Sequence, residues 1–307
     1  MKESVLDEAL FRHSFLVAVL LGTLCRLLVL RISDRQYPTR PQDYIEQIIM
    51  AGLTSALGGI ALPALMDKEF SALTFLAVGI QQFQGLSKQE KITLNNIDED
   101  ELVKKGATYI DEIASTYEVR SYVSLFAGLG SSIAYVIIAK RFGENIIICT
   151  VAAIVVAAIV GLIFRRILRR NSINDIADIK EAKIYFDGPI MKVVITNIGL
   201  KATREKFLKD GIAIEVVPKD EKDFGVINDL GQRDAIIYNI FIHTGVDKDV
   251  DEHDIVSTSK VDLKTKSVLI VFMPILNDME LIKQVAGSTP ILEAAKGKQS
   301  NYQCLIK

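Results

Sequence analysis

The sequence predicts an α-helical membrane bundle of about five transmembrane helices followed by a small cytoplasmic α/β domain. Residues 145–164 carry no charge, and their length matches the roughly 20 residues that an α-helix needs to cross a hydrocarbon core. Arginine pairs follow at positions 165–166 and 169–170, and beyond them the chain alternates between strand and helix patterns. These observations predict a transmembrane domain over residues 1–170 and a soluble domain over residues 171–307.

Four further apolar runs precede residues 145–164, and among them only the first contains a charge, Arg26. A core helix of a soluble protein rarely stays uncharged over about 18 residues, so five such runs favour a membrane bundle. Arg26 lies about one turn from the end of its run, where its long side chain can reach the interface. The predicted spans are residues 13–30, 47–66, 70–87, 121–139 and 145–164.

Basic residues predict the orientation, because lysine and arginine accumulate in cytoplasmic loops. Five spans with the arginine pairs inside place the N-terminus outside and the C-terminal domain in the cytoplasm, as in a multi-pass protein of the cell membrane. The basic segments 31–46 and 88–120 agree with this, whereas the basic pair at 140–141 does not and is partly offset by Glu144. Residues 70–87 are the weakest span because their last turn is polar, and a re-entrant or interfacial segment there would place the N-terminus inside.

Small residues crowd the second and fourth spans, which lets helix backbones approach closely. These small residues fit simple packing of the helices in the bundle. They also fit helix faces that line a pathway or an oligomer seam. No span carries an acidic residue near its middle, which weighs against a proton-coupled transporter. Polar residues at membrane depth or at the inner mouth are pore candidates, although hydroxyls can bond their own backbone and glutamines can be interfacial. The pore or mouth candidates are Glu46, Gln47, Thr54, Ser55, Gln81, Gln82, Ser131 and Ser132.

Residues 88–120 are predicted to be a helical cytoplasmic connector. An acidic run at 98–101 favours a helix that begins at Leu102, because carboxylates stabilise the positive end of the helix dipole. After Gly106 an apolar stripe recurs at helical spacing, and we expect it to lie along the membrane surface or to pack on the bundle. The stripe is Tyr109, Ile110, Ile113 and Tyr117, and the charges expected to face solvent are Asp111, Glu112, Glu118 and Arg120.

Residues 109–114, Tyr-Ile-Asp-Glu-Ile-Ala, resemble the signature of the YIEGIA family, membrane proteins of spore-forming bacteria. Asp111 stands at the glutamate of the signature and Glu112 at its glycine. The following residues 117–120 are also similar, and the resemblance extends over about residues 40–140. It implies a sporulation-linked membrane protein and transfers no catalytic residues.

Residues 171–307 alternate β-branched apolar runs with amphipathic segments, which predicts a small α/β domain with its own core. Asn277 or Asp278 is expected to cap a helix after Pro274 closes a strand. The predicted strands are 191–197, 211–218, 235–243 and 267–274, with an edge strand at 183–187, and the predicted helices are 201–209 and 278–286.

No catalytic or cofactor motif stands out in the chain, so we expect neither an enzyme nor a bound cofactor. The net charge of −2 predicts no nucleic-acid partner. An aspartate-rich segment resembles the start of a calcium loop, but Glu252 stands at the required glycine and Thr258 at the bidentate glutamate. The segment is therefore either a solvated acidic loop or a weak divalent-ion site. Its candidate ligands are Asp247, Asp249, Asp251 and Asp254.

Two functions fit these patterns. The first is an oligomeric channel or permeation protein with a cytoplasmic regulatory domain, because several small-residue spans with polar groups exceed what an anchor needs. A homo-oligomer in the lipid bilayer is expected, since one five-helix bundle is small for enclosing a water-filled path. The alternative is a spore-envelope scaffold in which residues 171–307 recruit a cytoplasmic protein.

Overall fold

Two compact units make up the structure, a computed structural model of the chain. The helical unit combines Met1–Glu90 with Ala114–Arg169, and the sheet unit combines Lys91–Ile113 with Arg170–Lys307. Much of the segment predicted as a connector therefore belongs to the sheet unit. The structure describes residues 8–33, 41–66, 70–99, 101–143, 145–168, 171–247 and 256–297.

Long apolar helices build the helical unit, as the sequence predicts. Within the described residues, four helices are long and apolar enough to cross a membrane by length and composition. Pro63 does not end its helix, which continues to Met66. The long helices are α1 (Glu8–Ser33), α2 (Pro41–Met66), α3 (Phe70–Glu99), α4 (Ala107–Phe142) and α5 (Ile146–Leu168).

The long helix α3 is not among the four that are apolar enough to cross a membrane. Its first part contains the predicted span 70–87. Its glutamines and its charged second half lower its mean hydropathy. The polar last turn of the predicted span continues as helix, and α3 does not end until Glu99.

The helices α3 and α4 both continue from the helical unit into the sheet unit without a break. They contain 30 and 36 residues, so at 1.5 Å per residue they are about 45 and 54 Å long, well beyond a hydrocarbon core of about 30 Å. The predicted connector is therefore the ends of two helices joined by a short loop, which the structure describes from residue 101 to 106.

Helices and short strands alternate in the rest of the sheet unit. Its helices are α6 (Ile173–Ile176), α7 (Lys201–Asp210), α8 (Phe224–Ile227), α9 (Leu230–Thr244) and α10 (Met279–Ser288). Its strands are β1 (Ala177–Ala182), β2 (Phe186–Asp187), β3 (Ile190–Met191), β4 (Thr196–Asn197), β5 (Ile212–Pro218), β6 (Ser257–Asp262) and β7 (Ser267–Phe272).

The main sheet has four strands in the order β1-β5-β7-β6, and β2, β3 and β4 form a small second sheet. Every pairing between these strands is antiparallel, so the unit is α+β rather than the α/β arrangement predicted from alternating patterns. Successive residues of a strand face opposite sides, and both sides of the sheet are covered. Ile214 belongs to the cluster packed with α9 and α10, and Ala213 belongs to the cluster packed with α7.

The predicted strand 235–243 is wrong, because this segment lies within α9. A short continuous apolar run does not distinguish a buried helix from a strand. The ends of the run carry the deciding signals. Asp229 accepts a hydrogen bond from the N–H of Gln232 as an N-cap, and Gly245 follows the helix with a φ of 72°.

The predicted strand 191–197 is reduced to two short pairings, with a turn between them in which Ile195 has a φ of 50°. The edge strand predicted at 183–187 is only β2. Strands β1 and β6 were not predicted, because their polar and charged residues hide the alternation of a half-buried strand. The strands predicted at 211–218 and 267–274 are confirmed, as are both helices and the Asp278 cap.

Candidate functional site

Three helices of the helical unit touch at glycines. A Cβ at Gly128 of α4 would lie 2.5 Å from the carbonyl oxygen of Ser55 of α2. A Cβ at Gly22 of α1 would lie 2.7 Å from the carbonyl oxygen of Ser124 of α4. Only glycine permits such close backbones, which is the usual role of small residues between membrane helices. We name the region formed by Gly22, Thr54, Ser55, Ser124 and Gly128 the helix seam.

Hydroxyl groups hydrogen-bond across these helices. Ser55 Oγ donates to the carbonyl oxygen of Ala18 at 2.8 Å, which joins α2 to α1. Ser132 Oγ donates to the carbonyl oxygen of Gly59 at 3.1 Å, which joins α4 to α2. Both hydroxyls are fully buried, so each contributes a satisfied polar contact inside the bundle.

Two further candidate hydroxyls are also buried and bonded. Thr54 and Ser124 hydrogen-bond each other across α2 and α4. Ser131 donates to the carbonyl oxygen of Ala127 in its own helix at 2.7 Å. The hydroxyls that the sequence marked as pore candidates thus lie in packed contacts of one protomer, and their role in a pore stays a prediction.

Arg26 is buried between helices, and the expectation that its side chain reaches the membrane interface stays a prediction. Only 3% of the residue is exposed. Its Nη2 donates to Oε1 of Gln47 at 2.8 Å, and its Nη1 donates to Oγ of Ser121 at 3.4 Å. The reason is that α2 and α4 present acceptors to α1 at this level. We name Arg26, Gln47 and Ser121 the arginine cluster.

Two of the remaining pore or mouth candidates, Glu46 and Gln81, do not join this cluster. Glu46 and Gln81 are exposed at the surface of the helical unit. The side chain of Gln82 lies outside those that the structure describes. The sequence signal for the arginine cluster was the single charge within an apolar run, but its partners were not predictable from spacing.

Contact pairs give the direction of each helix. Thr54 of α2 meets Ser124 of α4, and further along both chains Gly59 meets Ser132. The two helices therefore run parallel. The arginine cluster lies near the beginning of α2 and near the end of α1, so α1 runs in the opposite direction.

The helix α3 runs antiparallel to α4. Ser87 Oγ donates to the carbonyl oxygen of Ala114 at 2.9 Å within the helical unit. Lys91 forms an ion pair with Asp111 at 2.6 Å within the sheet unit. Later residues of α3 thus meet earlier residues of α4.

The end of α2 lies at the opposite end of the bundle from the arginine cluster. Met66 packs on a cluster that contains Leu10, near the start of α1, and Ala139, near the end of α4. Phe70 begins α3 only four positions later. Therefore α3 begins near this end of the bundle and ends in the sheet unit.

The signature segment, residues 109–114, docks on the sheet unit through the residues that belong to it. The ring of Tyr109 makes an edge contact with that of Tyr238 at 5.9 Å, and Ile110 is 1% exposed. Oε2 of Glu112 accepts a hydrogen bond from the N–H of Glu293 at 3.1 Å. The prediction that Tyr109 lies along the membrane surface or packs on the bundle is therefore wrong.

Two of the four charges expected to face solvent are buried, namely Glu112 and Arg120. Asp111 is exposed, as expected, and pairs with Lys91. Glu112 is buried because its carboxylate bonds the backbone N–H of Glu293, at the start of a short helical segment. A periodic pattern predicts which face is apolar, but it does not predict such a backbone acceptor.

The loop before the signature segment is held on α9. Asp98 accepts hydrogen bonds from the N–H groups of Lys105 at 2.6 Å and of Gly106 at 3.4 Å. The Lys105 ammonium lies 5.1 Å from the centre of the Tyr238 ring. Burial lowers the pKa of Lys105, but hydrogen bonds with Tyr238 and Glu101 outweigh it, so the pKa is raised. Lys105 therefore stays protonated in this contact.

The predicted metal ligands do not converge in the described part of the chain. Asp247 forms an ion pair with Lys206 at 3.1 Å. The other three ligands, Asp249, Asp251 and Asp254, lie outside the described residues. No group of three or more histidine, cysteine, aspartate or glutamate side chains in the described ranges is placed to hold a metal ion.

Comparison with known proteins supports the resemblance found in the signature segment. A family model described as "YIEGIA protein" matches residues 14–302. The chain is 32% identical over 286 residues to "Uncharacterized protein YphB" of Bacillus subtilis strain 168, which covers 92% of this chain and 93% of that protein. No solved structure matches the chain. The similarity thus extends from the bundle through the sheet unit.

Proposed function

The chain belongs to the YIEGIA family, and we propose that it is a five-span membrane protein. In this proposal ions or small solutes pass between the helical units of neighbouring protomers, and the sheet unit controls their passage. The observation that carries this proposal is the unbroken passage of α3 and α4 from one unit into the other. An uninterrupted helix transmits a tilt or a rotation along its length, unlike a flexible linker. The signature segment lies on this path.

The two chain segments that form the sheet unit support a topology in which α4 and α5 both cross the membrane. It contains residues 91–113 and residues 170–307, and a compact soluble unit occupies one side of a membrane. The chain must therefore cross an even number of times between these segments, and α4 and α5 supply two crossings. Arg165 and Arg166 lie in the last turn of α5 and favour the cytoplasmic side for this unit.

Helix directions support a fifth crossing by α3. It begins near the end of α2, at the opposite end of the bundle from the arginine cluster. It ends in the sheet unit, where its later residues meet the beginning of α4. A helix with these two ends crosses the bilayer even though its glutamines lower its hydropathy. With five crossings the N-terminus lies outside.

The helix seam favours a conduction path between protomers over one inside a protomer. Gly22 and Gly128 already bring backbones into contact, which leaves no space for a column of water between α1, α2 and α4. A path at an oligomer interface avoids this closed packing. We therefore include a homo-oligomer in the proposal, together with the sporulation link that a relative in a spore-forming bacterium favours.

The second candidate function is a membrane-anchored scaffold that recruits a cytoplasmic protein. The same closed packing favours it, because the buried hydroxyls described above stabilise the bundle and need no solute. In this case the helical unit only anchors the sheet unit, and the sheet unit binds the partner.

Reconstitution in liposomes distinguishes the two candidates. We expect efflux of potassium, chloride or carboxyfluorescein from liposomes that contain the protein, at rates above those of protein-free liposomes. Heat-inactivated protein is the control. An absence of efflux for all three solutes, with the protein correctly inserted, would contradict the permeation proposal and leave the scaffold.

A further inference from the structure

We propose that the sheet unit binds a phosphate-bearing small ligand in a groove lined by lysines. The groove has a volume of about 670 Å³. It is bordered by the end of β1, by the turn between β3 and β4, and by the turn between β6 and β7. Ligand pockets usually measure about 300–1,000 Å³, so this groove has room for a molecule of nucleotide size.

Cationic side chains outnumber carboxylates in the lining, with four lysines against Glu215 and Asp262. Both carboxylates already accept hydrogen bonds from the protein. Glu215 accepts one from Ser267 Oγ at 2.6 Å, and Asp262 accepts one from the N–H of Lys264 at 2.8 Å. The lining lysines are Lys183, Lys192, Lys260 and Lys264.

Three of these ammonium groups are available to a ligand. Lys192 forms an ion pair with Asp187 at 2.9 Å. Lys183, Lys260 and Lys264 form no ion pair with any residue in the described ranges. A lysine ammonium binds phosphate as a compact point charge, and three of them around one groove suit an anion with more than one negative charge. The arrangement thus favours phosphate.

Exposed apolar side chains stand beside the lysines. Tyr185 is 58% exposed and Ile195 is 63% exposed, and both line the groove. The φ of Ile195 is 50°, a left-handed conformation that a β-branched residue rarely adopts. The ring of Tyr185 offers a flat surface for an aromatic or sugar part of the ligand. We therefore expect several phosphates joined to a flat or apolar group.

This inference assigns a ligand class to the unit that the proposed function treats as regulatory. Phosphate can come from a soluble phosphorylated compound or from an anionic lipid headgroup. The lysines would bind the phosphate of either source in the same way. The experiment therefore tests a soluble phosphate compound and a lipid headgroup in separate arms. Binding is measured without solute flux, so failure here leaves the permeation test unaffected, and failure of that test leaves the groove unaffected.

Isothermal titration calorimetry on the full chain in neutral detergent tests the proposal. The probes are ATP, inorganic pyrophosphate and, in a separate arm, micelles doped with phosphatidylglycerol. We expect at least one probe to bind at low ionic strength and to weaken as salt is raised. The triple variant Lys183→Gln, Lys260→Gln, Lys264→Gln should bind that probe at least about ten-fold more weakly.

A matched variant controls for net charge. Lys201→Gln, Lys209→Gln, Lys222→Gln removes three exposed lysines outside the groove and should bind like the wild type. Thermal melting of both variants verifies the fold. Binding of ATP or pyrophosphate identifies a soluble source, and binding of phosphatidylglycerol alone identifies a headgroup. Equal affinity of the two triple variants, or no binding of any probe to the wild type, would overturn the proposal.

Discussion

Replacing Gly58 with alanine is expected to destabilise the helical unit. A Cβ at this position would lie 2.9 Å from the backbone nitrogen of Leu129 and closer still to the carbonyl oxygen of Leu125. These are backbone atoms of α4 and cannot rotate away, so α2 and α4 must separate. Overpacking of this kind costs about 1–3 kcal/mol. We expect the melting temperature in detergent to fall by about 3–8 °C.

Gly85→Ala is the matched control for Gly58→Ala. Gly85 also lies in a long helix, but a Cβ there meets no atom within 4 Å. Alanine forms helix better than glycine by about 1 kcal/mol, so this variant should be unchanged or slightly more stable. If both variants melt at the same temperature, the close approach of α2 and α4 is not present in the protein.

Replacing Glu112 with alanine is expected to loosen the signature segment from the sheet unit. Its carboxylate accepts the N–H of Glu293, and the residue is only 6% exposed. The variant leaves that donor without this acceptor, at a cost of about 1–3 kcal/mol. We expect faster amide hydrogen exchange at Glu293 and in residues 107–113, measured by mass spectrometry. The contact depends on a glutamate that stands where the signature has glycine.

Two variants control this experiment. Asp111→Ala removes an ion pair with Lys91 whose side chains are about half exposed, so it should change stability by less than about 1 kcal/mol. Glu112→Gln keeps a carbonyl oxygen as acceptor and should restore most of the protection. Equal exchange in Glu112→Ala and Asp111→Ala would show that the bond to Glu293 does not hold the segment.

The sequence predicted the apolar helices and the small residues of spans two and four that allow close helix contact, because both depend on local composition. Gly58 and Gly128 lie in the stretches whose small residues predict close helix contact. The same composition left packing and pore lining as alternatives, since a hydroxyl such as that of Ser55 serves either. Only the position of Ala18 in α1 reveals which backbone the hydroxyl bonds.

Features that join distant segments were not predictable from the sequence. Arg26 meets Gln47 and Ser121 because three helices converge, which no spacing encodes. The groove is another example, since its lysines come from separate segments of the chain. The helix α9 was missed for a local reason. Its apolar run fits a strand as well as a buried helix, and only the capping residues Asp229 and Gly245 indicate the helix.

Cysteine labelling tests most directly whether α3 crosses the membrane and carries the chain into a cytoplasmic sheet unit. Leu65 and Tyr44 are exposed residues near the two ends of α2. Each is changed to cysteine in a background in which the native cysteines are replaced, and intact cells are treated with a membrane-impermeant maleimide. We expect Leu65→Cys to be labelled in intact cells and Tyr44→Cys only after permeabilisation. Labelling of Tyr44→Cys in intact cells, with Leu65→Cys protected until permeabilisation, would contradict a crossing of α3 that carries the chain into a cytoplasmic sheet unit.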